Sequence, residues 1–347
     1  MKFNKYTKFI VPSIFLAFIF ICSSFPTWAE WYMRLCYPAI ATIISFFSRL
    51  VFFSLFDCLI ITAIFALAGS MVMMFKKKIS FKSWSSMLLL SVLWIIVWFY
   101  MSWGIAYFRP GFYARFEVEK PKEDSAFFEA LVVRYIDSLN RAYVSDPYFD
   151  AKEINDEIET LFAKHHELLR LPYPCGWRRT KKTITNPLMT RMGIAGYFAP
   201  FFNEVKVNSF APPLTYPYTL AHEKAHQLGI ASEAECNLIA TFICISSSHP
   251  LVRYSGYLQT ASYLLGSLRR ISPERYREII RQVDPHVLSD FRAIREHWQK
   301  ELNPMLSALQ EKAYDIYLKT NKQPDGVAGY SEMTELLIVF EKFFFNE

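Results

Sequence analysis

The chain has 347 residues, of which 52% are hydrophobic and 17% aromatic, and its mean hydropathy is +0.14. This composition is richer in apolar and aromatic groups than that of an ordinary soluble protein, so a membrane protein is the first class to test. The net charge of +6 includes a local basic run at residues 178–182, which is typical of a solvated or headgroup-facing loop and gives no support for nucleic-acid binding.

Three apolar runs stand in the first third of the chain, at residues 9–25, 55–75 and 87–105. Each is long enough to cross a bilayer as a helix. The first run follows three lysines, a pattern that also fits a secretory signal peptide cleaved near residues 27–29. The sequence leaves this choice open.

The lysines indicate the direction of these helices. They precede the first run and recur in the loop at residues 76–82, and the positive-inside rule places both positions in the cytoplasm. The chain then crosses outward, inward and outward again. We therefore expect a membrane anchor with three transmembrane helices over residues 1–106 and an extracytoplasmic domain over residues 107–347.

Residues 28–50, between the first two runs, include two tryptophans, two tyrosines and a proline. This composition suits a loop or short helix that lies at the bilayer surface. The alternative is that these residues form part of the second span, and the sequence does not decide between the two.

From residue 109 onward the charges are mixed into amphipathic patterns, and no further apolar run is long enough to span. The patterns predict two strands before the central motif, at residues 192–198 and 204–208. They predict helices at residues 126–142, 153–171, 250–269, 273–283, 286–318 with a break open at Pro304, and 332–345. The expected fold class is mainly α with a small β component.

The second predicted strand immediately precedes the central motif and comprises Glu204, Val205, Lys206, Val207 and Asn208. An edge strand beside a metal site can hold an extended peptide by backbone hydrogen bonds. We therefore consider these residues as a substrate-binding strand. The alternative is an ordinary hairpin that only covers the motif helix.

The central motif is H-E-x-x-H at residues 222–226. Helical residues four apart lie on one face, so His222 and His226 can offer their imidazoles to the same metal ion. Glu223 lies beside them, within reach of a water molecule on that ion. This spacing predicts a zinc site on a helix.

A third ligand is expected from the next helix. Gly229 can adopt the left-handed conformation that ends a helix, and residues 232–235 read as a capping box that opens another. Glu233 would complete a three-residue ligand set and leave a fourth position open, as in catalytic zinc sites. Glu235 is the alternative ligand, but the capping box predicts that its side chain folds back to the amide of Ser232.

The H-E-x-x-H motif followed by residues 233–237 resembles the H-E-x-x-H and E-x-x-x-D/N pattern of gluzincin metallopeptidases. More closely, the chain resembles an uncharacterised bacterial membrane family, domain of unknown function 3810. The similarity covers most of the chain and is carried by residues 103–109, 193–209, 254–257, 317–319 and 326–330.

The resemblance implies a zincin-like α+β domain on a membrane anchor in the bacterial inner membrane. It implies one Zn²⁺ per chain, held by His222, His226 and Glu233, with Glu223 as the general base. Asn237, four residues after Glu233, matches the position that orients a ligating histidine.

The function we expect is zinc-dependent hydrolysis of peptide bonds outside the cytoplasm, in which Glu223 moves a proton from water to the leaving amine. By analogy with other gluzincins, Tyr330 and Tyr254 are candidate oxyanion donors, although a packing role is the favoured alternative for both. Lys224 replaces a usually apolar residue and should point away from the metal.

The expected partners are the lipid bilayer and a peptide or protein substrate. No glycine-rich loop indicates a nucleotide. The alternative function is a catalytically silent membrane protein that keeps the zincin fold for binding or as a scaffold.

Overall fold

The computed structural model describes residues 7–120, 124–173, 178–321 and 330–344. In these ranges the chain is mainly helical, with one two-stranded sheet. The helices are α1 Thr7–Ser24, α2 Pro26–Trp31, α3 Tyr37–Arg49, α4 Leu55–Phe75, α5 Phe81–Ser102, α6 Phe112–Phe116, α7 Ser125–Ala142, α8 Ala151–His165, α9 Asn186–Met192, α10 Tyr216–Gln227, α11 Glu233–Ile245, α12 Pro250–Ile271, α13 Pro273–Ile279, α14 Pro285–Glu301, α15 Pro304–Thr320 and α16 Tyr330–Phe344. The strands are β1 Gly196–Ala199 and β2 Glu204–Val207.

The chain divides into two compact units. Unit 1 comprises Met1–Arg109, Pro174–Ile184 and Ala199–Glu204. It contains the three helices of the described residues that are long and apolar enough to cross a membrane, α1, α4 and α5. The three apolar helices predicted from the sequence are therefore present. The third begins six residues earlier than predicted, because Ser80 caps it by accepting a hydrogen bond from the Ser83 amide at 3.2 Å.

In unit 1, α1 and α5 run in the same direction. Lys8 Nζ of α1 donates to Ser86 Oγ of α5 at 3.0 Å. About two turns further along both helices, the rings of Phe15 and Trp94 lie 6.3 Å apart. α4 runs the opposite way and is joined to α5 by a short turn at residues 76–80. This alternation is the one that three successive spans require.

The amino terminus of α4 binds a carboxylate. Glu204 accepts hydrogen bonds from Ser48 Oγ at 3.0 Å, from Ser54 Oγ at 2.8 Å and from the amides of Leu55 at 2.9 Å and Phe56 at 3.3 Å. The first N–H groups of a helix lack partners within the helix and favour negative charge, so this buried carboxylate is fully solvated by protein groups.

Unit 2 comprises Pro110–Tyr173, Thr185–Phe198 and Val205–Glu347. In it α10, α11 and α12 pack together, with α7, α8 and α16 against them. In α7 the residues that face the core recur every three or four positions, as the sequence pattern predicts. Its buried residues are Phe128, Leu131, Val132, Tyr135, Ile136, Leu139 and Ala142.

Several predicted boundaries were wrong. The strand expected at residues 192–198 begins only at Gly196, because α9 occupies the preceding stretch and ends at Gly193, whose φ of 76° is left-handed. The helix expected at residues 153–171 ends at His165. The break at Pro304 is present and separates α14 from α15.

Candidate metal centre

The helix that carries both motif histidines, α10, ends at a tight left-handed turn. Gly229 has a φ of 84°, and its amide donates to the carbonyl of His226 at 2.9 Å. The Ile230 amide donates to the carbonyl of Ala225 at 3.3 Å. These two bonds form a Schellman motif, in which glycine avoids the strain that a Cβ atom would bring.

This turn leads at once into α11. Ser232 caps α11 by accepting a hydrogen bond from the Glu235 amide at 3.3 Å, so Glu233 is the first helical residue. Its Oε2 lies 3.2 Å from His222 Nε2, and its Oε1 lies 3.4 Å from His226 Nε2. One ligand atom from each of the three residues lies within 4.8 Å of the other two.

The other nitrogen of each imidazole has an oxygen partner. His222 Nδ1 lies 2.9 Å from Asn237 Oδ1, and His226 Nδ1 lies 2.8 Å from the carbonyl oxygen of Ile230. Since the carbonyl oxygens accept, both Nδ1 atoms donate, and both Nε2 atoms face the Glu233 carboxylate. Asn237 is itself fixed by the hydroxyl of Tyr263, which donates to Oδ1 at 3.3 Å.

Two imidazole nitrogens and one carboxylate oxygen are a donor set that zinc prefers. The electrostatics fit a cation as well. Burial raises the pKa of Glu233, but the charges and hydrogen bonds of His226 and His222 outweigh it and hold this pKa well below its ordinary value. Burial lowers the pKa of His226, but Cys236 and Glu233 outweigh it and hold this pKa well above its ordinary value. Without a metal ion, a proton on His226 supplies the positive charge that the Glu233 carboxylate favours.

Glu223 is buried beside the cluster. Burial raises the pKa of its carboxyl, His222 and His226 oppose the rise, and the amide of Phe198 donates a hydrogen bond to it. That amide belongs to β1. A Cβ atom added to Gly196 of β1 would lie 3.0 Å from Glu223 Cγ, so only glycine lets the strand approach α10 this closely.

The strand beside Glu223 is therefore β1, whose first three residues are partly exposed. The predicted substrate strand is buried at every residue, namely Glu204, Val205, Lys206, Val207 and Asn208. Its last side chain, Asn208, bonds to Thr190 and to the carbonyl of Ile194 at 3.0 Å. Substrate binding by this strand stays a prediction. β1 is the strand that contacts Glu223 and is partly exposed.

Two buried ion pairs flank the cluster in unit 2. Lys224 Nζ lies 2.5 Å from Glu159 Oε1, so this lysine points away from the two histidines. The Glu235 carboxylate contacts the Arg115 guanidinium. The predicted capping box is thus right for Ser232, but the Glu235 side chain does not fold back as expected, because a buried arginine 120 positions earlier binds it.

Tyr314 of α15 is a member of the site that the sequence analysis did not predict. Its hydroxyl donates to Glu233 Oε1. The two residues are 81 positions apart, and no motif links them. Of the predicted tyrosines, Tyr254 donates instead to Asp290 Oδ2 at 2.5 Å, and Tyr330 begins α16 with a side chain outside the described part of the chain.

Comparison with known proteins gives one family. The family described as protein of unknown function (DUF3810) matches residues 32–338. Because this match covers most of the chain, the protein belongs to that family. No curated protein and no solved structure matches it.

Proposed function

We propose that this member of the DUF3810 family is a membrane-anchored, zinc-dependent peptidase that hydrolyses peptide bonds outside the cytoplasm. The observation that carries the proposal is the convergence of His222, His226 and Glu233 beside the buried Glu223. The same pattern motivates a gluzincin-like assignment, with unit 2 as a zincin-like domain. His222, His226 and Glu233 would hold one Zn²⁺ per chain, with Asn237 orienting His222.

The catalytic roles follow from the chemistry of the side chains. Zinc, when bound, polarises the scissile carbonyl and acidifies the attacking water. Glu223 accepts the proton of that water and delivers it to the leaving amine, for which a carboxyl with a raised pKa is suited. The Phe198 amide holds the Glu223 carboxylate in place. A peptide substrate suits a site with a partly exposed strand at its side, because extended peptides pair with strand edges.

The proposed location rests on unit 1. Lys8 lies beside the start of α5, the lysines at residues 76–78 lie in the turn from α4 to α5, and Lys82 is in the first turn of α5, so all are at one end of the three helices. By the positive-inside rule this end is cytoplasmic, and the chain leaves α5 on the outer side of a bacterial inner membrane.

The test uses the full-length protein in lipid nanodiscs. We expect one zinc per chain by elemental analysis and cleavage within a library of unstructured peptides. Glu223→Gln should keep the zinc and lose cleavage, because a base is not a ligand, whereas His222→Ala should lose both. Equal cleavage by wild type and Glu223→Gln would refute the mechanism.

A zinc-loaded wild type that cleaves no peptide in the library would favour the alternative function, a silent zincin-fold binding or scaffold protein. Protein that takes up no zinc even after reconstitution would exclude the zinc-dependent peptidase and leave the alternative function standing.

A further inference from the structure

The segment between α1 and α4 is helical almost throughout. α2, a π-helical turn at Tyr32–Cys36 and α3 follow one another without a gap. One side of this segment carries exposed apolar residues spaced three or four apart, which is the helical period. These residues are Trp28, Trp31, Leu35, Ala39, Ile43, Phe46 and Leu50, and we call them the apolar stripe.

We propose that this segment lies in the plane of the bilayer, at the end where α1 finishes and α4 begins, with its apolar stripe in contact with lipid acyl chains. The inference rests on the membrane anchor proposed above. It adds a lipid-binding surface that is not one of the three spans.

The depth of the segment can be measured against α5. Near its start, the Tyr32 hydroxyl donates to the carbonyl of Met101 at 2.5 Å. Near its end, Ser45 Oγ accepts from Asn203 Nδ2 at 2.7 Å. The neighbour of Asn203, Phe202, packs its ring 5.3 Å from that of Trp98.

Both contacts therefore lie within the last two turns of α5. Between Tyr32 and Ser45 a helix advances by roughly 20 Å, whereas the corresponding positions on α5 differ by only about 5 Å along its axis. The segment crosses α5 steeply instead of running alongside it. If α5 spans the bilayer, this segment lies near one surface.

The polar groups of the segment fit a headgroup environment. Glu30 pairs with Arg34 at 2.5 Å and with Arg109 at 2.7 Å, so the acid is neutralised. Arg49 lies over the ring of Phe46 at 4.8 Å and is exposed, as expected for a basic side chain that reaches toward phosphate groups.

Lipid acyl chains are the occupant that fits this surface. The stripe is continuous with α1 and α4 in the same unit. Tryptophan is typical of the bilayer interface, and tryptophan, phenylalanine and leucine are typical of the apolar face of an in-plane helix. Leu35, Ile43 and Leu50 are 63%, 58% and 66% exposed, and a row of such residues facing water would be an aggregation liability.

The test measures depth by spin-label accessibility. Full-length protein with its native cysteines replaced is labelled singly at residue 35 or 46 on the stripe, at residue 49 beside it, or at residue 65, and reconstituted in nanodiscs. Phe65 is the reference, because it is 73% exposed at the middle of α4. Oxygen and a water-soluble nickel chelate report lipid and water exposure. Circular dichroism and size-exclusion chromatography check that each labelled protein is folded.

We expect residues 35 and 46 to be oxygen-accessible at depths within about 5 Å of each other, both shallower than residue 65, with residue 49 accessible to nickel. A spanning helix would separate residues 35 and 46 by roughly 16 Å and overturn the proposal. So would nickel access at both positions, or protection from both reagents by a protein partner. If residue 65 itself is open to nickel, the membrane anchor fails and the in-plane segment fails with it, whereas failure at residues 35 and 46 alone leaves the anchor intact.

Discussion

Helices α4 and α10 invert the usual relation between polarity and burial. α4 is apolar on all sides and exposed along most of its length, and among its residues, all of them described, the buried one is Asp57. α10 is polar, yet it buries Glu223, Lys224 and His226. An element of the first kind needs a non-aqueous solvent, and one of the second kind needs a partner for each polar group.

Each helix satisfies this requirement in its own unit. Asp57 accepts hydrogen bonds from Thr183 Oγ1 at 2.8 Å and from the Ile184 amide at 3.1 Å, while the apolar surface of α4 has no comparable protein cover. In α10, Lys224 pairs with Glu159, and His226 donates to the Ile230 carbonyl. The contrast predicts lipid around α4 and a preorganised polar site around α10.

The largest effect expected is an all-or-none difference in the activity of a fused reporter. A reporter that is active only after export should be active when fused after Arg109 and silent when fused after Lys78, because α5 lies between the two positions. The reverse pattern would overturn the orientation. Activity at both positions would show that α5 does not cross.

Substitutions of the two neighbouring residues Glu233 and Glu235 should separate an effect on metal binding from an effect on stability. Glu233→Gln removes an anionic ligand and should abolish stoichiometric zinc binding and turnover. Glu235→Gln should keep the zinc but destabilise the fold by about 3–5 kcal/mol, since it removes the buried carboxylate that contacts the Arg115 guanidinium. Zinc titration and denaturant unfolding measure the two effects. Zinc loss in the Glu235 variant alone would make Glu235 the ligand.

Much of the fold and part of the site could be predicted because their signals are local. The apolar runs, the period of α7, the spacing of His222 and His226 and the cap at Ser232 each depend on residues within a few turns. The partners that fix the site are distant in sequence. Arg115 reaches Glu235 over 120 positions and Tyr314 reaches Glu233 over 81. Such pairs depend on how whole helices pack together. No local pattern in a single sequence predicts that packing.

The buried ion pair of Lys224 with Glu159 tests whether the polar groups of α10 need buried partners. Glu159→Gln should destabilise the protein by about 3–5 kcal/mol, because Lys224 is then buried without its counter-charge. The double variant Glu159→Leu with Lys224→Met should recover much of the loss, since no charge remains buried. Lys152→Ala is the control, because it breaks an exposed pair with Asp156 and should have a much smaller effect. Equal losses from both pairs would contradict the assigned burial.

Tyr314→Phe should have a more modest effect on the metal. The change removes one hydroxyl that donates to Glu233 and leaves the ring in place. Loss of such an outer partner typically weakens metal affinity by about 10–100-fold. Competition with a zinc chelator measures the affinity. Tyr317→Phe, on the neighbouring stacked ring, is the matched control and should leave the affinity unchanged.

The last effect expected is a pH dependence with opposite signs for the metal-free and the zinc-loaded protein. The pKa of His226 is raised well above its ordinary value when no metal is bound. The protonated His226 then stabilises the metal-free fold at pH values below its ordinary pKa, and this contribution is lost as pH rises through the raised folded pKa. Zinc must displace the same proton, so affinity should increase by about tenfold per pH unit up to that pKa and then level off. Thermal unfolding of each form across this range should therefore show falling stability without zinc and rising stability with it. Parallel curves would mean that His226 is not the group that zinc and the proton share.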